Sequence, residues 1–228
     1  MQSILMQFIY DKNAKNELLK IEDENYNYIV KARRHKLDDI LDFRNLEDDF
    51  LYSYKISQID KKSLFLNLLK KEEKIIENSK KIHLAWCVVD PKTIYENIAS
   101  LNELGVDKIT FVYSDFSQKN FKINFEKLEK ILINSSSQCG RSSIIKLDIY
   151  KNIDTFIKDN PDTYFLDFSK TSIDSKVLDI KTLMIGTEGG FSKRERELFN
   201  KNFIVGFSSN LILKSQTAII SATSKIIL

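Results

Sequence analysis

Three of the six glycines in the chain fall within five residues, Gly186-Thr187-Glu188-Gly189-Gly190. Glycine tolerates positive φ and the close approach of another backbone or a ligand, so such a cluster marks either a tight strand-to-helix turn or a binding loop. The surrounding run 182–199, TLMIGTEGGFSKRERELF, has a legible local mechanism. An apolar strand ends at Gly186, the chain turns, and Ser192 with Glu195 three residues later forms a capping box for a new helix. Strand, loop and capped helix together present backbone N–H groups to a ligand. The spacing is neither that of the phosphate loop G-x-x-x-x-G-K-[ST] nor that of G-x-G-x-x-G, which sets nucleotide hydrolysis aside. Glu188 is a candidate for binding ligand hydroxyls or amines and equally for capping a backbone turn.

Three further constellations carry polar chemistry. In 210–222, NLILKSQTAIISA, an apolar stretch runs into Lys214, Ser215, Gln216 and Thr217 and then into a helix of small and apolar residues. Read alone, this is an ordinary helix start with Ser215 or Thr217 as cap. The segment 135–143, SSSQCGRSS, is a polar loop around Arg141, suited to phosphate or sugar contact but more commonly a solvent-exposed linker. The run Lys31-Ala32-Arg33-Arg34-His35-Lys36 is a true local concentration, because residues 1–79 hold 14 Lys+Arg against 15 Asp+Glu, a net of −1. It suits RNA-backbone contact or a solvated helix end.

Bulk composition narrows the classes. Lys and Arg total 35 against 32 Asp and Glu, so a net charge of +3 excludes binding to nucleic acid by bulk charge, and any RNA site must be a patch. Cys87 and Cys139 lie far apart, and with only His35 and His83 there is no metal-ligand spacing. No segment approaches the roughly 18 apolar residues of a membrane span, and MQSILMQFIYDK lacks the features of a signal peptide. The expectation is a cytoplasmic protein without metal or membrane.

The elements that must position these residues divide in two. Residues 1 to about 70 read as β-rich, with strands at 3–10, 39–43, 50–58 and 63–69 and a helix over 23–34. The charged stretch 70–81, KKEEKIIENSKK, reads as the connection. Beyond it strand and helix alternate: strands at 82–89, 107–113, 144–147, 163–168, 181–185 and 203–207, and helices at 91–104, 124–134, 153–158, 193–200 and 215–228. Pro91 opens the first of these helices and Gly105 closes it. Such alternation predicts a mostly parallel sheet covered on both faces, with ligands beyond the carboxyl ends of its strands. The glycine cluster lies at that edge.

The glycine loop and the Lys214 segment together resemble the RsmE-type ribosomal RNA methyltransferases of the knotted SPOUT superfamily. Members carry I-G-P-E-G-G-F, here Ile185-Gly186-Thr187-Glu188-Gly189-Gly190-Phe191. Their L-G-x-R-I-L-R-T-E-T-A stands here as Ser208-Ser209-Asn210-Leu211-Ile212-Leu213-Lys214-Ser215-Gln216-Thr217-Ala218. E-Q-C-G-R corresponds to Ser137-Gln138-Cys139-Gly140-Arg141, and E-L-G-V is intact as Glu103-Leu104-Gly105-Val106. V-L-R-x-x-x-G-D is similar to Ala32-Arg33-Arg34-His35-Lys36-Leu37-Asp38-Asp39.

This resemblance implies an α/β fold: a PUA-like RNA-binding β-barrel over 1–72, then a SPOUT α/β domain with a trefoil knot over 73–228. It implies S-adenosyl-L-methionine held by three loops through Leu166, Phe168, Ile185, Gly186, Glu188, Gly190, Leu211, Ile212, Leu213 and Thr217. The implied reaction is N3-methylation of a uridine in 16S ribosomal RNA on the assembled 30S subunit, by a homodimer. Lys214, in place of the family's Arg, is the candidate cation beside uracil O2 or O4, and Gln216 replaces a Glu. The implied RNA contacts are Arg33, Arg34, Lys36 and Arg141. The chain departs from the pattern at Thr187 for Pro, Ser209 for Gly and Leu211 for Arg. Two alternatives stand beside this reading: a knotted methyltransferase for another RNA position, which the domain order and the Gln138-Cys139-Gly140-Arg141 element oppose, and an RNA-binding protein that has lost catalysis, suggested by the missing Arg and Glu.

Overall fold

The computed structural model describes residues 7–209 and 211–228. The first half of the strand expected at 3–10 lies outside them, and Asn210 does too. The chain forms two compact units, Met1–Glu77 with Ile133–Ile144, and Asn78–Leu132 with Ile145–Leu228.

The first unit is a five-stranded sheet. Its strands are β1 (Ile9–Tyr10), β2 (Leu18–Ile21), β3 (Ile40–Arg44), β4 (Phe50–Ile59) and β5 (Leu64–Glu73). They lie in the order β1-β3-β4-β5-β2, with β1 parallel to β3 and the other pairs antiparallel. Period-two patterning buries Tyr52, Tyr54 and Ile56 from β4 against Phe43, Leu64 and Leu66. The two tyrosine hydroxyls escape an unsatisfied burial: Tyr54 donates to the Asn16 carbonyl at 2.7 Å and Tyr52 to Asp48 Oδ2 at 2.9 Å.

Several expectations need correction here. β2 is too short and too charged at its flanks to stand out in sequence, and its pairing with β5 defines it. The helix expected over 23–34 is one α-helical turn, α1 (Asp23–Tyr26), continued as a wider π-helical coil over Asn27–Ala32. The stretch read as a connection begins later, because β5 runs through Glu73. The polar run 135–143 is not a solvent-exposed linker. Helix α3 (Phe125–Cys139) continues into it, and Ser135, Ser136 and Ser137 are buried. Serine can enter that interior because backbone carbonyls accept its hydroxyl, as Ser143 O does from Ser136 Oγ at 2.7 Å. Arg141 is likewise no surface cation: it is 6% exposed and its Nε donates to Ser143 Oγ at 3.1 Å.

The second unit is a six-stranded, wholly parallel sheet. Its strands are β6 (His83–Cys87), β7 (Lys108–Val112), β8 (Lys146–Tyr150), β9 (Tyr164–Leu166), β10 (Thr182–Ile185) and β11 (Ile204–Val205). The order β11-β9-β10-β6-β7-β8 reverses direction beside β6. Helices α2 (Pro91–Glu103), α4 (Ile153–Asp159), α5 (Lys193–Leu198) and α6 (Ser215–Ile227) belong to the same unit. Burial on both faces explains why β6 and β10 read as continuous apolar runs. No helix of the described residues is long and apolar enough to cross a membrane.

His83, at the start of β6, tests this packing. Its Nε2 lies 2.7 Å from Thr110 Oγ1, and burial, reinforced by the charge of Lys108, pushes its pKa down to about 4. The unfolded chain, with an ordinary histidine pKa of about 6.5, then binds more protons than the folded one between those values. Stability should therefore fall as pH drops through that window, by up to about 3 kcal/mol. Urea midpoints at pH 4.5 and pH 7 are expected to differ more in the native chain than in His83→Gln. Equal differences in both would assign the acid sensitivity elsewhere.

Candidate functional site

Beyond the carboxyl ends of β9 and β10 lies a cavity of about 350 Å³. Three segments build it: the loop after β9, the glycine loop after β10, and the stretch leading into α6. It lies at the carboxyl edge of the strands, where parallel α/β sheets take their ligands.

The glycine loop is set by close backbone contact. Gly190 N donates to the Thr187 carbonyl at 2.9 Å, and a β-carbon on Gly186 would stand 2.9 Å from the Gly190 carbonyl carbon and oxygen. Only a residue without a side chain fits there. The following helix α5 is held as its sequence predicts, with Ser192 Oγ accepting from Glu195 N at 3.1 Å and Glu195 Oε2 accepting from Ser192 N at 2.8 Å. The other oxygen of Glu195 accepts from Asp115 N at 2.7 Å, tying α5 to the loop after β7. Arg194 adds a second tie, donating to both Asp115 and Asp154.

The start of α6 differs from the expected cap. Its N-cap is Lys214, without a side-chain cap bond. Ser215 instead faces inward, donating to the Gly186 carbonyl at 2.7 Å and accepting from Trp86 Nε1 at 2.9 Å. One buried hydroxyl thus joins α6, the end of β10 and β6. The loop after β9 is laced to the end of β11 by Asp167 N to Val205 O at 3.0 Å and Gly206 N to Thr171 O at 2.9 Å.

Of the residues singled out in sequence, Leu166, Phe168, Ile185, Gly186, Glu188, Gly190, Leu211, Ile212 and Leu213 all line the cavity. Thr217 does not, being exposed on α6; Ser215 stands there in its place. Lys214 is exposed and outside the lining; Gln216 is also outside it, but half-buried, with its Oε1 buried without a hydrogen-bond partner among the described residues. Sequence reasoning missed Asp167 and Arg196, which line the cavity as a bidentate pair: Arg196 Nε to Asp167 Oδ2 at 2.5 Å and Nη2 to Oδ1 at 3.0 Å. The carboxylate raises the Arg196 pKa above its ordinary value. The helical offset from the capping box places Arg196 over the loop, but that signal is readable only once the box itself is trusted.

Arg33, Arg34 and Lys36 belong to the first unit. Arg34 and Lys36 are exposed, whereas Arg33 leans over the Tyr28 ring with Nε donating to its hydroxyl at 3.0 Å. Among the described residues no group of three or more His, Cys, Asp or Glu could hold a metal ion.

The chain is similar to known proteins in sequence and in fold. The family model of an RNA methyltransferase domain matches residues 76–227, and that of an RNA methyltransferase PUA domain matches 21–69. Ribosomal RNA small subunit methyltransferase E of Helicobacter pylori (strain ATCC 700392 / 26695) is 40% identical over 222 residues, covering 96% of this chain and 98% of that one. The Buchnera aphidicola (subsp. Acyrthosiphon pisum, strain APS) protein of the same description is 30% identical across 94% of this chain and 89% of its own. Among solved structures, a putative methyltransferase from Legionella pneumophila in complex with bound SAM is 28% identical, with a TM-score of 0.72, over 92% of this chain and 90% of that one. A likeness that runs through both units at 40% identity and 96% of the chain leaves one assignment: the protein belongs to the ribosomal RNA small subunit methyltransferase E family.

Proposed function

We propose that the chain methylates N3 of a uridine in 16S ribosomal RNA on the assembled 30S subunit, with S-adenosyl-L-methionine as methyl donor. The observation that carries this reading is the cavity itself, formed by the three segments that the family resemblance assigns to the cofactor. Its residues fit that group. Leu166, Ile185, Leu211, Ile212 and Leu213 offer apolar surface, while the lining glycines Gly186, Gly189 and Gly190 leave the loop's backbone unscreened by side chains on the cavity. When bound, the cofactor supplies an electrophilic methyl group on a sulfonium.

The protein's own residues do the positioning. The loop 185–190, fixed by Ser215 and Glu195, holds the donor in one orientation, and the apolar segment 211–213 excludes water from the reacting face. Uracil N3 carries a proton that must leave, so a cation beside O2 or O4 lowers the barrier. The exposed cations Arg34 and Lys36, with Arg33, suit the first unit to RNA backbone, consistent with its match to a PUA domain. This reading takes residues 1–72 as the RNA-binding domain and 73–228 as the catalytic one, the second containing a trefoil knot and pairing with its copy in a homodimer. The lacing of 167–171 to 205–206 and the passage of the chain onward into α6 support a threaded C-terminus.

Purified protein, labelled cofactor and 30S subunits lacking the modification provide the test, with the product nucleoside identified by mass spectrometry. A single N3-methyluridine is expected. A different methylated nucleoside would favour another RNA position, and loss of both transfer and cofactor binding would favour the non-catalytic RNA-binding reading.

A further inference from the structure

Among the described residues that line the cavity, Arg196 is the one Lys or Arg. It stands at the rim, with its side chain 43% exposed, while its partner Asp167 is 9% exposed. Asp167 is fully engaged: both oxygens accept from Arg196, and Oδ1 also accepts from Phe168 N at 2.9 Å. That carboxylate is the mount of the guanidinium. A planar guanidinium held through Nε and Nη2 keeps a fixed orientation, and Nη1 has no partner among the described residues. The guanidinium also lies on the glycine loop, since a β-carbon at Gly190 would come 3.4 Å from Arg196 Nη2. Lys214, by contrast, is exposed outside the lining.

We propose that Arg196 is the catalytic cation, binding the carbonyl oxygen of the target uracil on which negative charge gathers as N3 loses its proton, with Asp167 as its positioning residue. The inference rests on the uridine-N3 reading above and names the group that serves it. In the step, the N3–H bond breaks and its proton passes to solvent. The N3 electron pair forms the bond to the methyl carbon as the carbon–sulfur bond breaks, and those electrons leave on a neutral thioether. Arg196 never exchanges a proton; it stabilises the charge delocalised from N3 onto oxygen, in a site where preorganised donors are worth more than in water. Phe168, 73% exposed on the same rim, offers a face on which the flipped base can stack.

Arg196→Gln, Arg196→Lys and Asp167→Asn separate this from its rivals. Cofactor affinity is measured by calorimetry without RNA, and kcat, KM and the pH–rate profile with 30S subunits. For Arg196→Gln the expected result is a cofactor Kd within about threefold of native and a kcat lower by about 100-fold, the usual size of losing one such donor. The rising limb of its pH profile should move to higher pH, because the anion of uracil is no longer favoured. Asp167→Asn should show the same shift in smaller degree, and Arg196→Lys should recover part of the rate. A tenfold weaker cofactor Kd with kcat restored at saturation would overturn the proposal by assigning Arg196 to the carboxylate of the cofactor. A raised KM for 30S subunits with kcat and pH profile unchanged would overturn it in favour of an RNA phosphate. The parent reading fails separately: the native protein would then yield a nucleoside other than N3-methyluridine, or none, whereas native N3-methyluridine with an unimpaired Arg196→Gln rejects Arg196 alone.

Discussion

Gly186→Ala is expected to abolish methyl transfer while leaving a folded protein. The added β-carbon would meet the Gly190 carbonyl carbon and oxygen at 2.9 Å, closer than real β-carbons approach backbone. Neither side can yield cheaply. Gly186 O is held by Ser215 Oγ at 2.7 Å, and Gly190 N is held by the Thr187 carbonyl at 2.9 Å. The loop must open, and its backbone groups then no longer present one surface to the cofactor. Cofactor affinity should fall by at least about 100-fold, corresponding to roughly 2.7 kcal/mol. The sheet itself should survive, because β10 keeps its pairing with β6 and β9 through Ile185. Calorimetry with S-adenosyl-L-methionine and far-UV circular dichroism check the two halves of this expectation. Native affinity in the variant would show that the loop does not form the cofactor's bed. A matched Gly189→Ala is the useful contrast, since its β-carbon would meet only the Phe116 side chain, at 3.2 Å, which can turn aside.

The reach of sequence reading differs between the two units, for physical reasons. In the second unit the strands β6, β7 and β10 are buried along nearly their whole length and helices α2, α4 and α5 each carry a side-chain cap at the start, so local pattern and tertiary role coincide there. Pro91 does open α2, and Ser192 with Glu195 does cap α5. In the first unit the pattern is weaker. β2 exists through its partner β5, and the coil over Asn27–Ala32 is wider than the helix its periodicity suggests. Asp38 is instructive: it occupies the place of a family glycine and adopts φ +72°, a conformation aspartate tolerates better than most side chains. The candidate site was legible as three loops because glycine and apolar residues mark them. What could not be read was which polar side chains turn inward. Ser215 and Thr217 are equal as caps on paper, yet only Ser215 meets Trp86 and Gly186. Asp167 and Arg196 stand 29 positions apart, and nothing local pairs them. Serines in 135–137 look solvent-exposed until the carbonyls that accept from them are known.

Glu195→Ala carries the second large effect, and it acts on stability first. The residue is wholly buried, and both carboxylate oxygens accept backbone N–H groups, from Asp115 at 2.7 Å and from Ser192 at 2.8 Å. Hydrogen bonds to a charged group contribute about 1.5–3 kcal/mol each, and truncation leaves two donors without an acceptor, so a loss of about 3–5 kcal/mol is expected. For a chain of this length that corresponds to a Tm lower by roughly 10–15 °C. Glu195→Gln should lose about half as much, because one oxygen remains while the amide nitrogen opposes a backbone N–H. The Arg194 ties to Asp115 and Asp154 are exposed and cannot compensate, since surface pairs contribute about 1 kcal/mol or less. Cofactor affinity should weaken in parallel, because the same carboxylate anchors the helix that ends the glycine loop and carries Arg196. Thermal unfolding of Glu195→Ala within about 3 °C of native would show that water replaces the carboxylate at no cost. The loop would then owe its shape to the contact between Gly186 and Gly190 and to Ser215 alone.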